Sequence, residues 1–230
     1  MIDNLVPAAA EPALAGEAEL LDGVAAGAQA AARLWRMDEA LIVPSRVAAL
    51  AGFEPAAAAS LARGWPVLVR ATGGAPVAQF HGMLNIALAY RIGPGNPWSI
   101  DDAYRHLADL LARALGELGL AVETGEIADA FCPGRYDLAL GGRKIAGVAQ
   151  RRKRATGGGQ AILAHACLLV EGELARPFDA LAAFEDAFMP ERRWRPGAAT
   201  SLASHLGRES VLDIVAAIFR DALRTTPLPG

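Results

Sequence analysis

Apolar residues recur along this chain with two periods. "AAGAQAAARLWRMDEALIV", residues 25 to 43, is full of helix formers, with Leu34, Met37, Leu41 and Ile42 at helical spacing, and it stops at Pro44; the pattern predicts a first helix. A second, Ala-rich helix is expected over "PAAAASLARG", closing at Gly64. The period then changes. "PVLVR" gives a short buried strand from Val67 to Arg70, a glycine turn follows, and a longer apolar strand runs from Leu84 to Tyr90. Ser99, three residues before Asp102, reads as an acidic capping box. The helix it opens carries Ala103, Leu107, Leu110, Leu111, Ala114, Leu115 and Leu118 on one stripe and ends at Gly119.

Beyond that helix, "AVETGEI", "RYDLALGG", "RKIAGVAQRR" and "AILAHACLLV" form a succession of short strands parted by glycine turns, with Gly141 and Gly142 suited to a two-residue hairpin. Three helices are expected in the tail, near 178 to 188, 200 to 206 and 209 to 223, the last burying Val211, Ile214, Val215, Ile218 and Leu223. Helices flanking a mixed, mostly antiparallel β-sheet make an α+β fold in a single domain, here over residues 28 to 225. The Ala-rich stretch 1 to 27 reads as a leader, disordered or lying loosely on the surface.

Composition changes this picture little. With 230 residues, 53% of them hydrophobic, the chain can bury a sizeable core, and a net charge of -3 argues against a dedicated nucleic-acid binder. The start has no basic n-region, and no apolar run approaches membrane-spanning length, so a cytoplasmic protein without nucleic-acid or membrane partners is expected. Cys132 and Cys167 form no CxxC and suit a reducing compartment. Neither HExxH nor a Cys/His pair is present to bind a metal, and no GxSxG elbow points to a serine hydrolase.

Two stretches carry candidate chemistry. RATGG occurs at 70 to 74 and again at 154 to 158, in surroundings too different for a duplicated domain. In the first copy, Arg70, Thr72, Gly73 and Gly74 form either a plain tight turn or a loop whose amides converge on an anion; no GK[ST] follows, so it is not a Walker loop. Along "RKIAGVAQRR", strict alternation puts Lys144, Ala146 and Val148 on one face and Ile145, Gly147 and Ala149 on the other. Small residues leave room above the strand, where Lys144 can aim an ammonium at a carboxylate, a phosphate or a developing oxyanion, or else is a solvated turn lysine. Cys132, before a Pro-Gly turn, is a candidate nucleophile, with a merely structural thiol as the alternative; Cys167 reads as a buried small hydrophobe.

In this order and spacing, "LWRMDEALI", "RATGGAPVAQFHGMLNIAL", "RYDLALGGRKIAGVAQRR" and "AILAHACLLV" resemble the biotin/lipoate protein ligase family, in its lipoate-ligase and octanoyltransferase branch. The resemblance implies a fold like that of class II aminoacyl-tRNA synthetases and biotin/lipoyl ligases. It also implies an enzyme that attaches a lipoyl or octanoyl group to a lysine of a lipoyl-carrier domain. The substrate would be lipoate or octanoate activated with ATP and Mg as an acyl adenylate, or an octanoyl group passed through a cysteine thioester. By the same resemblance Lys144 lies at the acyl carboxyl carbon, Arg70, Thr72, Gly73 and Gly74 border the pocket, and Asn85, Gly147, Ala149 and His165 line it. Asp137 falls near a nucleotide, and Cys132 is the candidate thioester residue. Ala71, Ala75 and Gln79 depart from the ligase pattern and motivate the alternative of a non-catalytic acyl or acyl-adenylate binding protein; a biotin-protein ligase is a third reading, since biotin too presents an acyl carboxylate on an aliphatic tail.

Overall fold

The segment 25 to 43, read above as a helix, holds two strands after the last two residues of a preceding helix, and the reason is burial on both sides. In the computed structural model, which describes residues 1 to 189 and 194 to 229, Ala30–Met37 is a strand that packs Ala32 and Leu34 into one core and Trp35 and Met37 into another. A strand covered on both faces reads as a continuous apolar run, which helical spacing fits by chance.

The first residues are not a loose leader either. Ile2–Ala8 forms β1 and Ala10–Ala26 forms α1, followed by β2 (Ala30–Met37) and β3 (Ala40–Pro44). β1 pairs in parallel with β2, and α1 buries Ala13, Leu20, Leu21 and Val24 against the sheet. Alanine gives this helix a weak apolar signature, yet its small side chains let it lie close to the strands.

Next come the short α2 (Ser45–Ala48), α3 (Phe53–Ala62), β4 (Val67–Arg70), β5 (Val77–Gln79), β6 (Met83–Ile92) and α4 (Ile100–Gly116). The Ser99–Asp102 capping box forms as expected. After these follow β7 (Glu123–Thr124), β8 (Leu138–Leu140), β9 (Arg143–Arg154), β10 (Gln160–Leu169), α5 (Ala175–Asp186), α6 (Leu202–Leu206) and α7 (Leu212–Thr225).

The larger sheet has seven strands in the order β1-β2-β6-β10-β9-β8-β7, antiparallel except for β1 with β2; the smaller one is β4-β3-β5. This is the expected α+β architecture. α4 and α7 cover one face of the large sheet, α1 covers part of the other, and α3 and α5 pack with the small sheet. On α7, Val211, Val215 and Leu223 are buried as expected, but Ile214 is 44% exposed and Phe219 takes the central place.

One irregularity positions the site. Ala139 of β8 faces Lys144 while Leu138 faces Ala146, so β9 carries an extra residue at Ile145. Such a bulge reverses the alternation beyond it. Ala146 and Val148 therefore turn to the α4 core, and Lys144 shares the opposite face with Gly147 and Ala149. Simple alternation had placed the lysine on the wrong side of its own strand.

Candidate active site

That face opens into a cavity of about 280 Å³. Its floor follows from strand register: Gly147 pairs with Cys167, and Ala149 with His165. Lys144, Asp137 and Cys132 stand at one end, and Arg70, Gly73 and Gly74 form a wall. A side chain at Gly147 would meet Lys144 Nζ at 3.2 Å, so the glycine expected to leave room does so directly beside the ammonium.

Lys144 is 1% exposed and spends its donors on three acceptors: Asp137 Oδ2 at 2.7 Å, the Cys132 carbonyl at 2.7 Å and the Phe131 carbonyl at 3.0 Å. Asp137 Oδ2 also accepts from the Gly134 amide at 2.9 Å, closing the Pro-Gly turn. Burial pushes the Asp137 carboxyl up, against the pull of the Lys144 ammonium and of both hydrogen bonds. Cys132 itself sits at φ 42, a left-handed conformation that non-glycine residues seldom adopt, and Lys144 holds the two carbonyls that fix it there.

The TGG turn meets Cys132 from the other side. Arg70 Nη2 donates to the Gly73 and Ala75 carbonyls at 2.8 and 2.9 Å, and Arg46 donates to Gly74 O. With its carbonyls taken up by guanidinium groups, the loop turns one amide inward, and Ala75 N–H donates to Cys132 Sγ at 3.1 Å. Gly74, at φ 105, is required: a Cβ there would lie 3.0 Å from Sγ and 2.8 Å from Arg70 Nη2. The loop is a turn built onto a thiol.

A match to the family model "Lipoyl protein ligase A/B catalytic domain" runs over residues 9–224. The chain belongs to this family. The match begins within the stretch read as a leader, in agreement with the packing of α1. Among its relatives, an uncharacterised protein of Cupriavidus necator is 37% identical over 91% of this chain and 85% of its own length. Proteins named octanoyl-[GcvH]:protein N-octanoyltransferase are 33% identical in Kyrpidia tusciae (89% of this chain, 72% of that protein) and 35% identical in Geobacillus kaustophilus. The Geobacillus alignment spans 69% of this chain and 56% of that protein, so for several transferase relatives little more than half the length is matched. The fold matches the lipoate-protein ligase A crystallised with ATP, at a TM-score of 0.71 and 20% identity over 98% of this chain and 84% of that one. The Thermoplasma acidophilum lipoate protein ligase homologue with bound lipoic acid gives 0.70, with the same identity and coverage.

In this family member the remaining expected residues divide. His165 lines the cavity, with Nδ1 2.8 Å from Glu17 Oε1 of α1. Its Nε2 is buried and has no partner among the described residues. Glu17 was missed; the signal was an acid on the buried stripe that also holds Ala13, Leu20 and Val24. Asn85 does not line the cavity. It is 2% exposed and lies beneath the floor, bonded to Gln79 at 2.9 and 3.1 Å and accepting from Cys167 Sγ at 3.1 Å. Cys167, expected as a buried small hydrophobe, is half-buried and lines the cavity floor, and desolvation of its thiol pushes it up to about 12. Thr72 faces a separate cavity of about 400 Å³ between α1 and β4. Sequence reasoning also missed Tyr104, which reaches the cavity from α4 and stacks on Tyr136 with centroids 5.2 Å apart.

Lipoate or octanoate suits a cavity with small residues on its floor and a cation at one end. Among the described residues no cluster of three His, Cys, Asp or Glu lies at metal-binding distance, and Asp137 Oδ2 is bonded to Lys144 and Gly134. The second RATGG copy lines neither cavity. It is the tip of the β9–β10 hairpin, tied down by Arg91, which donates to the Thr156 and Gly158 carbonyls, and by the Thr156 amide on Ala25 O at 2.8 Å. Among the described residues no helix is long and apolar enough to cross a membrane.

Proposed function

We propose that this protein is an acyltransferase that moves an octanoyl or lipoyl group onto a lysine of a lipoyl-carrier domain through a thioester on Cys132. The placement of Cys132 Sγ carries this reading: it lies at the cavity wall, touched by the Ala75 amide, in a residue whose own carbonyl is held by the Lys144 ammonium. The relatives' printed name supports it, since it makes the donor an octanoylated GcvH and the acceptor a second protein.

The chemistry runs in two exchanges. Cys132 Sγ attacks the acyl carbonyl of the donor, the bond to the donor's heteroatom breaks, and that atom leaves with the thiol proton. A lysine amine of the acceptor then attacks the Cys132 thioester, the C–S bond breaks, and the surplus proton on nitrogen returns to Sγ. Both exchanges pass through an oxyanion. The Ala75 amide beside Sγ and the Lys144 ammonium behind the Cys132 carbonyl are the positive groups nearest the reacting atom, and an amide that turns from sulfur to the oxyanion is worth roughly 10²- to 10³-fold in rate. Gly147 and Ala149 leave the floor open for the acyl chain. No step passes through a nucleotide.

Two incubations of an unmodified lipoyl-carrier domain test the reading by intact mass: octanoyl-GcvH without ATP, and free octanoate with ATP. Octanoylation in the first alone is expected. Modification in the second alone assigns adenylate-dependent ligation instead, and modification in neither, with acyl or biotin binding retained, leaves a binding protein or a biotin ligase.

A further inference from the structure

Cys132 borders two cavities, and the acyl chain needs only one of them. The second cavity, of about 660 Å³, has Cys132 and Ala75 at its inner end, apolar walls from Leu50, Ile127, Phe188 and Met189, and the exposed carboxylates of Glu126 and Asp129 toward solvent. Its charge is opposite to that of the acyl cavity, where Arg70, Arg135 and Lys144 gather around the single carboxylate of Asp137.

We infer that the second cavity is the entry channel for the acceptor's lysine, so that the acyl group and the amine reach Cys132 by separate routes. This rests on the thioester reading above. A lysyl side chain is an aliphatic stem ending in a cation, and it is favoured where the stem crosses an apolar wall and the charge meets carboxylates. The cationic acyl cavity repels it. Asp129 already holds a cation, Arg195, with Nε 3.5 Å from Oδ2, in an exposed pair that an incoming ammonium can exchange. Past the carboxylates the apolar walls disfavour the charged amine, which sheds its proton to solvent and arrives as the free nucleophile. It then bonds to the thioester carbon, the C–S bond breaks, and the extra proton on nitrogen passes to Sγ.

Two variants test the channel, each in two half-reactions. Ala128→Trp fills the outer end of the cavity, and Glu126→Lys reverses its charge; both positions are exposed. The first half-reaction is acylation by octanoyl-N-acetylcysteamine, read as acyl-enzyme by intact mass. The second is transfer to a lipoyl-carrier domain. We expect wild-type acylation in both variants, with transfer slowed by at least about tenfold through KM for the carrier domain in Glu126→Lys. Transfer at the wild-type rate in both variants overturns the channel while leaving the thioester intact. Loss of acylation in Ala128→Trp also overturns it, by placing the acyl chain in this cavity. If the wild-type protein forms no acyl-enzyme on Cys132, the channel and the proposed function fail together.

Discussion

Replacing Lys144 with methionine probes both the stability of the site and its geometry. The Lys144 and Asp137 side chains are 1% and 2% exposed, and their bond measures 2.7 Å. Removing the cation leaves a buried carboxylate with only the Gly134 amide, and removes the donor to the Phe131 and Cys132 carbonyls. Breaking a buried pair from one side costs about 3–5 kcal/mol, a large part of an ordinary domain's stability. The cost depends on pH with a definite sign. Burial already pushes the Asp137 carboxyl up, and loss of the lysine pushes it further. The folded variant thus binds a proton that the unfolded chain releases, so its stability falls as pH rises from the ordinary carboxylate range through the raised one. Urea denaturation at pH 5 and pH 8, followed by tryptophan fluorescence, should show a smaller deficit at pH 5. Adding Asp137→Asn, which keeps an acceptor for Gly134, should recover about 1–3 kcal/mol at pH 8. A deficit under about 1 kcal/mol at pH 8, or a double variant that costs the sum of the two singles, would refute the buried-pair account.

Three further outcomes follow from the same geometry. Gly74→Ala should cut the rate of Cys132 acylation by at least about tenfold while shifting urea stability by only about 1–2 kcal/mol, because its Cβ collides with Sγ and Arg70 at the surface of the cavity and not in the core. Iodoacetamide at pH 8 should label Cys132 in the folded protein and spare Cys167, whose thiol is pushed up to about 12; both should react in urea, and equal labelling in the folded state contradicts the assignment. On α7, Ile214→Lys should be neutral within about 0.5 kcal/mol and Phe219→Ala should cost about 3–5 kcal/mol, as calorimetry can check.

Much of this was legible in the sequence where a local rule acts alone. The Ser99 capping box, the strand ending at Arg70, the hairpin at Gly141 and Gly142, and the room around Gly147 all follow from short-range chemistry. The failures have physical causes. Residues 30 to 37 are buried on both faces, so their pattern carries no strand period. α1 is rich in alanine, and its one conspicuous residue, Glu17, becomes intelligible only beside His165, 148 positions later. The bulge at Ile145 leaves no sign in the sequence, yet it decides which face Lys144 occupies. The family resemblance alone places Asn85 in the pocket, and its partners Gln79 and Cys167 lie on other strands.

The central claim is that Cys132 carries the acyl group. Incubating the protein with octanoyl-N-acetylcysteamine, quenching in acid and mapping the adduct by peptide mass spectrometry tests it directly. One octanoyl group on the peptide containing Cys132, released by hydroxylamine and absent in Cys132→Ser, is the expected result. An unmodified Cys132 beside a carrier domain that still becomes octanoylated would contradict the account.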